Sequence, residues 1–296
     1  MASHWTLDDI PWDRFDAVMV DPAILSVVKA AALVEANSPD YVTYLCNVFG
    51  DRPDLHAVIN QWGLEEAQHG EALARWAERA DPDFNFTRAL NHFREGYRLP
   101  LEATSSVRGS AAGEMIARCI VEVGTSSFYS AIRDATQEPV LKEICRHIAA
   151  DEVRHYRLFR DCLEDISAGV KLPLPTRLKV AFGRIAEAED DELSYAWYSA
   201  NKAFAKTPEP YKRKPCALSY WARAMSLYKR DHIDNAVKMT FRAVDLAPAG
   251  LPARLTSRLA WHLVSWRAAK LRRDGWLGPA YTVTSTKCSG CGTRSR

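Results

Sequence analysis

The amino-acid sequence predicts an all-α protein: a four-helix bundle over residues 1–170, followed by an additional C-terminal helical region. Three observations predict it. Apolar residues recur at three- and four-residue spacing over long stretches, while strand alternation and hairpin turn pairs are scarce. Two carboxylate–imidazole pairs, Glu66 with His69 and Glu152 with His155, are spaced by three residues. On a helix that spacing puts both side chains on one face, one turn apart. Each pair also interrupts a stripe that is otherwise apolar.

The elements follow in order from their punctuation. A first helix spans 22–49 and ends near Gly50-Asp51-Arg52-Pro53; a second spans 53–80 and stops at Asp81-Pro82-Asp83. An irregular stretch with short helical pieces covers 84–104. Helices at 105–135 and 139–168 meet at the tight Thr136-Gln137-Glu138-Pro139 connection, where a proline opens the second helix. Lys171-Leu172-Pro173-Leu174-Pro175 breaks the pattern and marks the domain boundary. Beyond it, a basic helical extension (171–280) carries helices at 176–206, 215–230, 233–246 and 250–274. Residues 281–296 read as a flexible tail holding Cys288-Ser289-Gly290-Cys291. Tyr220 to Pro248 faintly resembles one tetratricopeptide unit, but a lone copy cannot bury a core, so a plain helical hairpin is expected.

Composition sets the class. With 47% hydrophobic and 26% charged residues, the chain reads as a globular soluble protein. No run reaches the length of apolar sequence that spans a bilayer. The first nine residues lack the basic start and apolar core of a secretion signal. Seven cysteines, an odd number scattered through helical segments, suit a reducing compartment, so a cytoplasmic location is expected. Cys46, Cys119, Cys145, Cys162 and Cys216 read as packing residues. Charge is asymmetric: residues 201–296 hold 19 Lys and Arg against 5 Asp and Glu, whereas residues 1–200 hold 20 against 32. Either the halves neutralise each other or a sister subunit, or the basic half attracts an acidic partner. No nucleic acid is expected.

The stripes locate a metal centre. They read Ile24, Val28, Ala31, Glu35, Ser38, Val42, Leu45 in the first helix and Leu55, Ile59, Trp62, Glu66, His69, Leu73, Trp76 in the second. The third gives Met115, Cys119, Glu122, Ser126, Tyr129, and the fourth Leu141, Ile144, Ile148, Glu152, His155, Phe159, Cys162. Four carboxylates converging on one core are costly unless compensated, and two divalent cations would compensate them. Two ExxH helices with one Glu from each of two more form the ligand set of a di-iron or di-manganese bundle. Glu35 and Glu66 lie equally far from the turn near residue 50, and Glu122 and Glu152 equally far from the turn near 137. Glu114, the rival on the third helix, falls about two turns off that level. Imidazole with carboxylate suits iron or manganese.

These residues resemble the soluble acyl-acyl carrier protein desaturases, within the ferritin-like di-iron proteins. Trp62-Gly63-Leu64-Glu65-Glu66-Ala67-Gln68-His69-Gly70 is similar to that family's W-T-A-E-E-N-R-H-G, and Asp151-Glu152-Val153-Arg154-His155 to its D-E-K-R-H. Glu35-Ala36-Asn37-Ser38-Pro39-Asp40-Tyr41 resembles E-x-A-L-P-T-Y, and Glu122-Val123-Gly124-Thr125 resembles E-R-A-T. The likeness covers about residues 20–168. It implies a ferritin-like bundle in which Glu66 and Glu152 bridge two irons, Glu35 and Glu122 are terminal, and His69 and His155 complete one iron each. It further implies that Asp151 orients a histidine and that Thr125 manages a proton or bound oxygen on the open side of the metals. The related N-oxygenases have an extra His one turn before the last ExxH; here that position is Ile148, with His147 one residue off.

The expected function is an oxygen-dependent di-iron oxidoreductase, a desaturase or hydroxylase acting on an apolar, acyl-like substrate. It would use molecular oxygen and an external electron donor such as a ferredoxin, in a homodimer. Ferritin- or rubrerythrin-like iron handling or peroxide scavenging is the alternative, and a metal-free scaffold a third. Leu251 to Arg273 reads as a basic amphipathic helix with Leu255, Leu259, Leu263 and Trp266 on one side. Packing on the bundle with a solvated basic face is the expectation; an anionic membrane surface or an acidic carrier protein are the other partners it fits.

Overall fold

In the computed structural model, residues 4–168, 171–187 and 191–277 are described; they are all helical, with no strand among them. The tail with Cys288 and Cys291 lies outside the described residues. Three 3-10 turns (Leu7–Asp9, Trp12–Arg14, Ala17–Met19) lead into the first helix, a segment the periodicity left unassigned.

Four helices carry the two predicted pairs and their partner carboxylates. α1 (Pro22–Glu35) starts at Asp21, whose carboxylate accepts from the amides of Ala23 and Ile24. α3 (Pro53–Ala80) and α6 (Pro139–Ile166) both begin with proline, which gives up an amide that has no helical partner anyway. α5 (Ala111–Ala135) is capped by Ser110, which accepts from Gly113. Glu138 caps α6 and does more than cap. It accepts from Leu141 N (2.7 Å), from the Trp76 indole of α3 (2.7 Å) and from Asp16 N (3.2 Å), tying the amino-terminal segment to two core helices.

The single helix expected over 22–49 is two. α1 ends at Glu35 and α2 (Ser38–Val48) restarts after Ala36 and Asn37. Pro39 explains the break, because it has no amide to donate back to the carbonyl of Glu35. Gly70 makes room for it: a Cβ there would meet the Ala36 backbone nitrogen at 2.6 Å. The break therefore sits directly over His69. The helix expected from 105 begins only at Ala111, after turns around Ser106 and Gly109. The irregular stretch 84–104 contains α4 (Phe86–Gly96).

Past residue 170 come α7 (Leu174–Glu187), α8 (Asp191–Asn201), α9 (Arg213–Leu227), α10 (Arg230–Ala243) and α11 (Leu251–Arg273). Two helices thus replace the one expected over 176–206. α9 and α10 do not form the expected hairpin: α9 packs on α8 and α11, while α10 packs on α5 and α11. α8 lies along α1, and Trp197 and Tyr220 join the apolar cluster of Val27, Val28, Leu73 and Ile132. Acids at the ends of α7 and α8 are paired: Glu187 with Arg108, while Glu192 accepts from the Tyr41 hydroxyl.

α11 reverses the expectation most clearly. Its buried residues are Ala253, Ser257 and Leu271, while Leu255, Leu259, Leu263 and Trp266 are exposed. The apolar stripe faces away from the body of the protein, because small residues on the other side allow the closer packing.

Two glycines on core helices should respond oppositely to alanine. At Gly70 the new methyl meets backbone that cannot swing aside, so Gly70→Ala should destabilise by about 1–3 kcal/mol. At Gly124 nothing lies within 4 Å of the added atom, so Gly124→Ala should stabilise by roughly 0.5–1 kcal/mol through backbone entropy alone. Denaturant unfolding of the metal-free proteins measures both. A Gly70→Ala protein as stable as the parent would show that the α1/α2 break is not held against α3.

Candidate metal centre

The structure brings all six predicted ligands together. The ligand atoms of Glu35, Glu66, His69 and Glu152 lie within 4.8 Å of one another, as do those of Glu66, Glu122, Glu152 and His155. Glu66 and Glu152 belong to both groups, the position of a carboxylate shared by two ions. All six side chains are buried. They form a polar layer between two apolar ones. On one side stand Val28, Leu73, Trp76 and Ile144; on the other, Leu45, Ile59, Trp62, Met115 and Phe159.

A cation would be met by donor atoms that form no hydrogen bond, although Nδ1 of His155 lies 3.0 Å from Glu66 and Nδ1 of His69 3.3 Å from Glu152. Nδ1 of His69, Nδ1 of His155, both oxygens of Glu122 and one of Glu152 are buried without a hydrogen-bond partner. Buried polar atoms are almost always paired, so orphans gathered at one spot indicate that the arrangement fits an ion. With oxygen and nitrogen donors and no thiolate, the set suits iron or manganese.

Both rings are held from behind. His69 Nε2 lies 3.0 Å from Asp151 Oδ2, and His155 Nε2 lies 2.8 Å from Glu65 Oε2. A proton fixed on Nε2 leaves each Nδ1 lone pair facing the centre. The pattern is crossed: the acid preceding each ExxH orients the histidine of the other motif. Asp151 was legible in the sequence as an orienting residue; Glu65 was overlooked, although the repeated acid-Glu-x-x-His pattern signals both.

The same two carboxylates gather further residues that sequence reasoning missed. Arg154 donates to Asp151 (2.6 Å) and to Glu65 (2.5 Å), bracing both at once. The Trp5 indole donates to Asp151 at 2.7 Å and stacks on the His69 ring at 6.1 Å, with 5° between planes. His4 Nε2 lies 3.0 Å from the same oxygen. His4, Glu65 and Asp151 are close enough to hold an ion of their own, but Arg154 already neutralises that corner. Nothing in the composition of residues 4–19 pointed to the centre. Tyr129, noted only as a stripe residue, donates its hydroxyl to Glu35. Thr125 donates to Glu152 Oε2 at 2.7 Å and is half-buried. Glu114 is buried elsewhere, accepting from Tyr44 and Ser106. Ile148 is fully buried and His147 stacks on Trp5, so neither adds a ligand.

The protonation states follow from burial and neighbours. Burial, then the charge on Glu66, pushes Glu35 well above the carboxylate range. Burial, then the charge on Glu152, does the same to Glu122. Glu66 moves the other way: burial opposes its ionisation, but contacts with Glu35, His155 and His69 outweigh it. Glu152 is likewise lowered, against burial and the Glu66 charge, by His155 and His69. The two histidines are raised, despite burial, chiefly by Asp151 and Glu152 for His69 and by Glu152 and Glu65 for His155. Glu65 is held down at about 2 by His155, Gln61 and Arg154, which together overcome its burial.

Charge balance in this layer dictates how metal enters. Without metal, two carboxylates are ionised, two are protonated and both imidazoles are cationic, which sums to zero. With two divalent ions, four carboxylates and neutral imidazoles, it sums to zero again. Loading should therefore release about four protons, one each from Glu35, Glu122, His69 and His155. All four groups have raised pKa values, so protons compete harder as pH falls. Affinity should weaken steadily on acidification and strengthen as pH rises. Titration of metal-free protein with ferrous ion in weak buffer, read by a pH indicator, measures the release; a value near zero would refute the balance. Asp151→Asn and Glu65→Gln should each weaken metal binding by about 10–100-fold while leaving helicity intact.

No family model matches this chain and no curated protein matches it; what the centre does is carried by its own six ligands and their partners.

Proposed function

We propose that the chain is an oxygen-dependent di-iron oxidoreductase of the desaturase or hydroxylase type, built on a ferritin-like core of α1, α3, α5 and α6 and acting on an apolar, acyl-like substrate. One observation carries the reading: two overlapping ligand groups share Glu66 and Glu152 and aim orphaned donor atoms at a common interior. When bound, a ferrous pair supplies the reduction of oxygen and the removal of hydrogen from unactivated carbon, with electrons from an external donor such as a ferredoxin.

The residues of the chain have separable tasks. Glu66 and Glu152 would hold both ions, Glu35 and Glu122 one each, with His69 and His155 completing them. Asp151 and Glu65 fix the rings. The two apolar layers keep bulk water from the ligands, which strengthens every charge interaction there. Thr125 is a half-buried side chain bonded to one of the shared carboxylates. Its hydroxyl can hold a proton at Glu152 Oε2.

A cavity beside α5 and α6 bears on the charge of the substrate. Ser126, Val153 and Tyr156 directly follow Thr125, Glu152 and His155, and they line a space of about 500 Å³ closed by α10. Arg157, Lys238 and Arg242 also line it and make no ion pair among the described residues. Asp161 and Glu164 line it as well, but the cations Arg157, Arg160, Lys238 and Arg242 outnumber them, which suits a substrate with an anionic end.

The test begins with metal. Anaerobic reconstitution should give about two iron or manganese ions per chain. Glu66→Ala or His155→Ala should abolish that binding; a protein that takes up no metal refutes the reading. Reduced enzyme is then supplied with oxygen and with carrier-bound and free acyl substrates. Coupled product is expected, and Thr125→Ala should lower it while keeping the metal. Iron oxidation without product, in a large cage by size-exclusion chromatography, would assign the centre to iron handling instead.

A further inference from the structure

α11 presents a continuous apolar stripe to solvent. Leu251, Leu255, Leu259, Leu263 and Trp266 are 62, 52, 71, 59 and 57% exposed. Their spacing aligns them along about 22 Å of one helix face. Single exposed leucines are ordinary, but five in a row make a patch that a monomer rarely leaves uncovered. The opposite side of the helix is occupied, since Ala253, Ser257 and Leu271 are buried where α11 meets α9 and α10.

Charge identifies the occupant. α11 contains Arg254, Arg258, Arg267, Lys270, Arg272 and Arg273 and no acidic residue. At 100° per residue, Arg258 and Arg267 fall on opposite flanks of the stripe and Lys270 within it. The Lys270 ammonium lies 5.6 Å over the Trp266 ring, its stem along apolar surface and its charge toward water. A second copy of α11 laid along this face would set six cations against six. A flat layer of phosphates over hydrocarbon satisfies both the stripe and the cations on its two sides. Among the described residues no helix is long and apolar enough to cross a membrane.

We propose that α11 lies in the plane of an anionic membrane surface, with the Leu251–Trp266 stripe at the headgroup boundary and its basic side chains among the lipid phosphates. The metal chemistry plays no part in this, so the two readings can fail separately. A stripe of this kind seats a helix by apolar burial and by electrostatic attraction together, and neither alone is sufficient.

Full-length protein is sedimented with phosphatidylcholine vesicles, with and without phosphatidylglycerol. Each cation brought to an anionic surface is worth about five-fold, so binding to anionic vesicles should exceed binding to neutral ones by at least about ten-fold at low salt. It should fall as salt rises. Leu259→Glu with Leu263→Glu should abolish it while metal content and helicity stay as in the parent. Equal binding to both vesicle types, or undiminished binding by the double variant, overturns the proposal. So does a parent dimer by size exclusion that the double variant makes monomeric, since a second copy would then own the stripe.

Discussion

Everything in this protein is arranged around one electrostatic problem: four carboxylates and two imidazoles in a layer that water does not reach. An isolated charge there would cost several kcal/mol. Neutrality of the layer as a whole is what makes it tolerable, and it can be reached with protons or with cations. Protons satisfy the count but leave both oxygens of Glu122 without a hydrogen bond. Divalent ions satisfy count and direction together. The folded chain thus presents an arrangement that a pair of divalent ions would satisfy.

Preorganisation is supplied by groups that never touch the ions. Asp151 and Glu65 each anchor the ring borne by the facing helix, so a rotation of α3 or α6 would disturb both halves of the centre. Arg154 locks the two anchors to each other. The amino-terminal segment closes this corner, with Trp5 against His69 and its indole on Asp151. On the far side Thr125 donates to Glu152, and Glu122 and Glu152 are as fully buried as the histidines. The six ligands are thus enclosed on both sides, with Glu35 and Glu66 slightly less covered than the other four.

The centre was legible because burial forces a signature on sequence. A charged residue on an apolar stripe at helical period has few explanations, and six at matched heights have fewer. Pro39 carried equally clear information about the α1/α2 break, since a proline amide cannot close a helical turn. Periodicity smooths over a two-residue interruption, so the longer helix was read instead. His4 and Trp5 left no trace, because a segment of 3-10 turns has no period and its contacts lie more than 140 residues away. α11 failed for a different reason. Its amphipathic pattern shows that a face must be covered, but the pattern is the same whether protein or lipid covers it.

That ambiguity is resolved by what α11 lacks. A helix docking on its own protein through large apolar residues buries leucines; this one buries Ala253 and Ser257 and turns its leucines out. Small residues at a helix contact allow close approach, so the arrangement is a packed one and not a loosened end. The basic excess of residues 201–296 has the same logic, because α11 contributes six cations and no acid to it. Had that charge served only to hold the extension on the acidic first 200 residues, the cations of α11 would lie on its packed side. Instead Arg258, Lys270 and Arg273 share the outer side with the leucines. Charge and apolar surface placed together, facing away from the body, describe a helix shaped by something outside the chain.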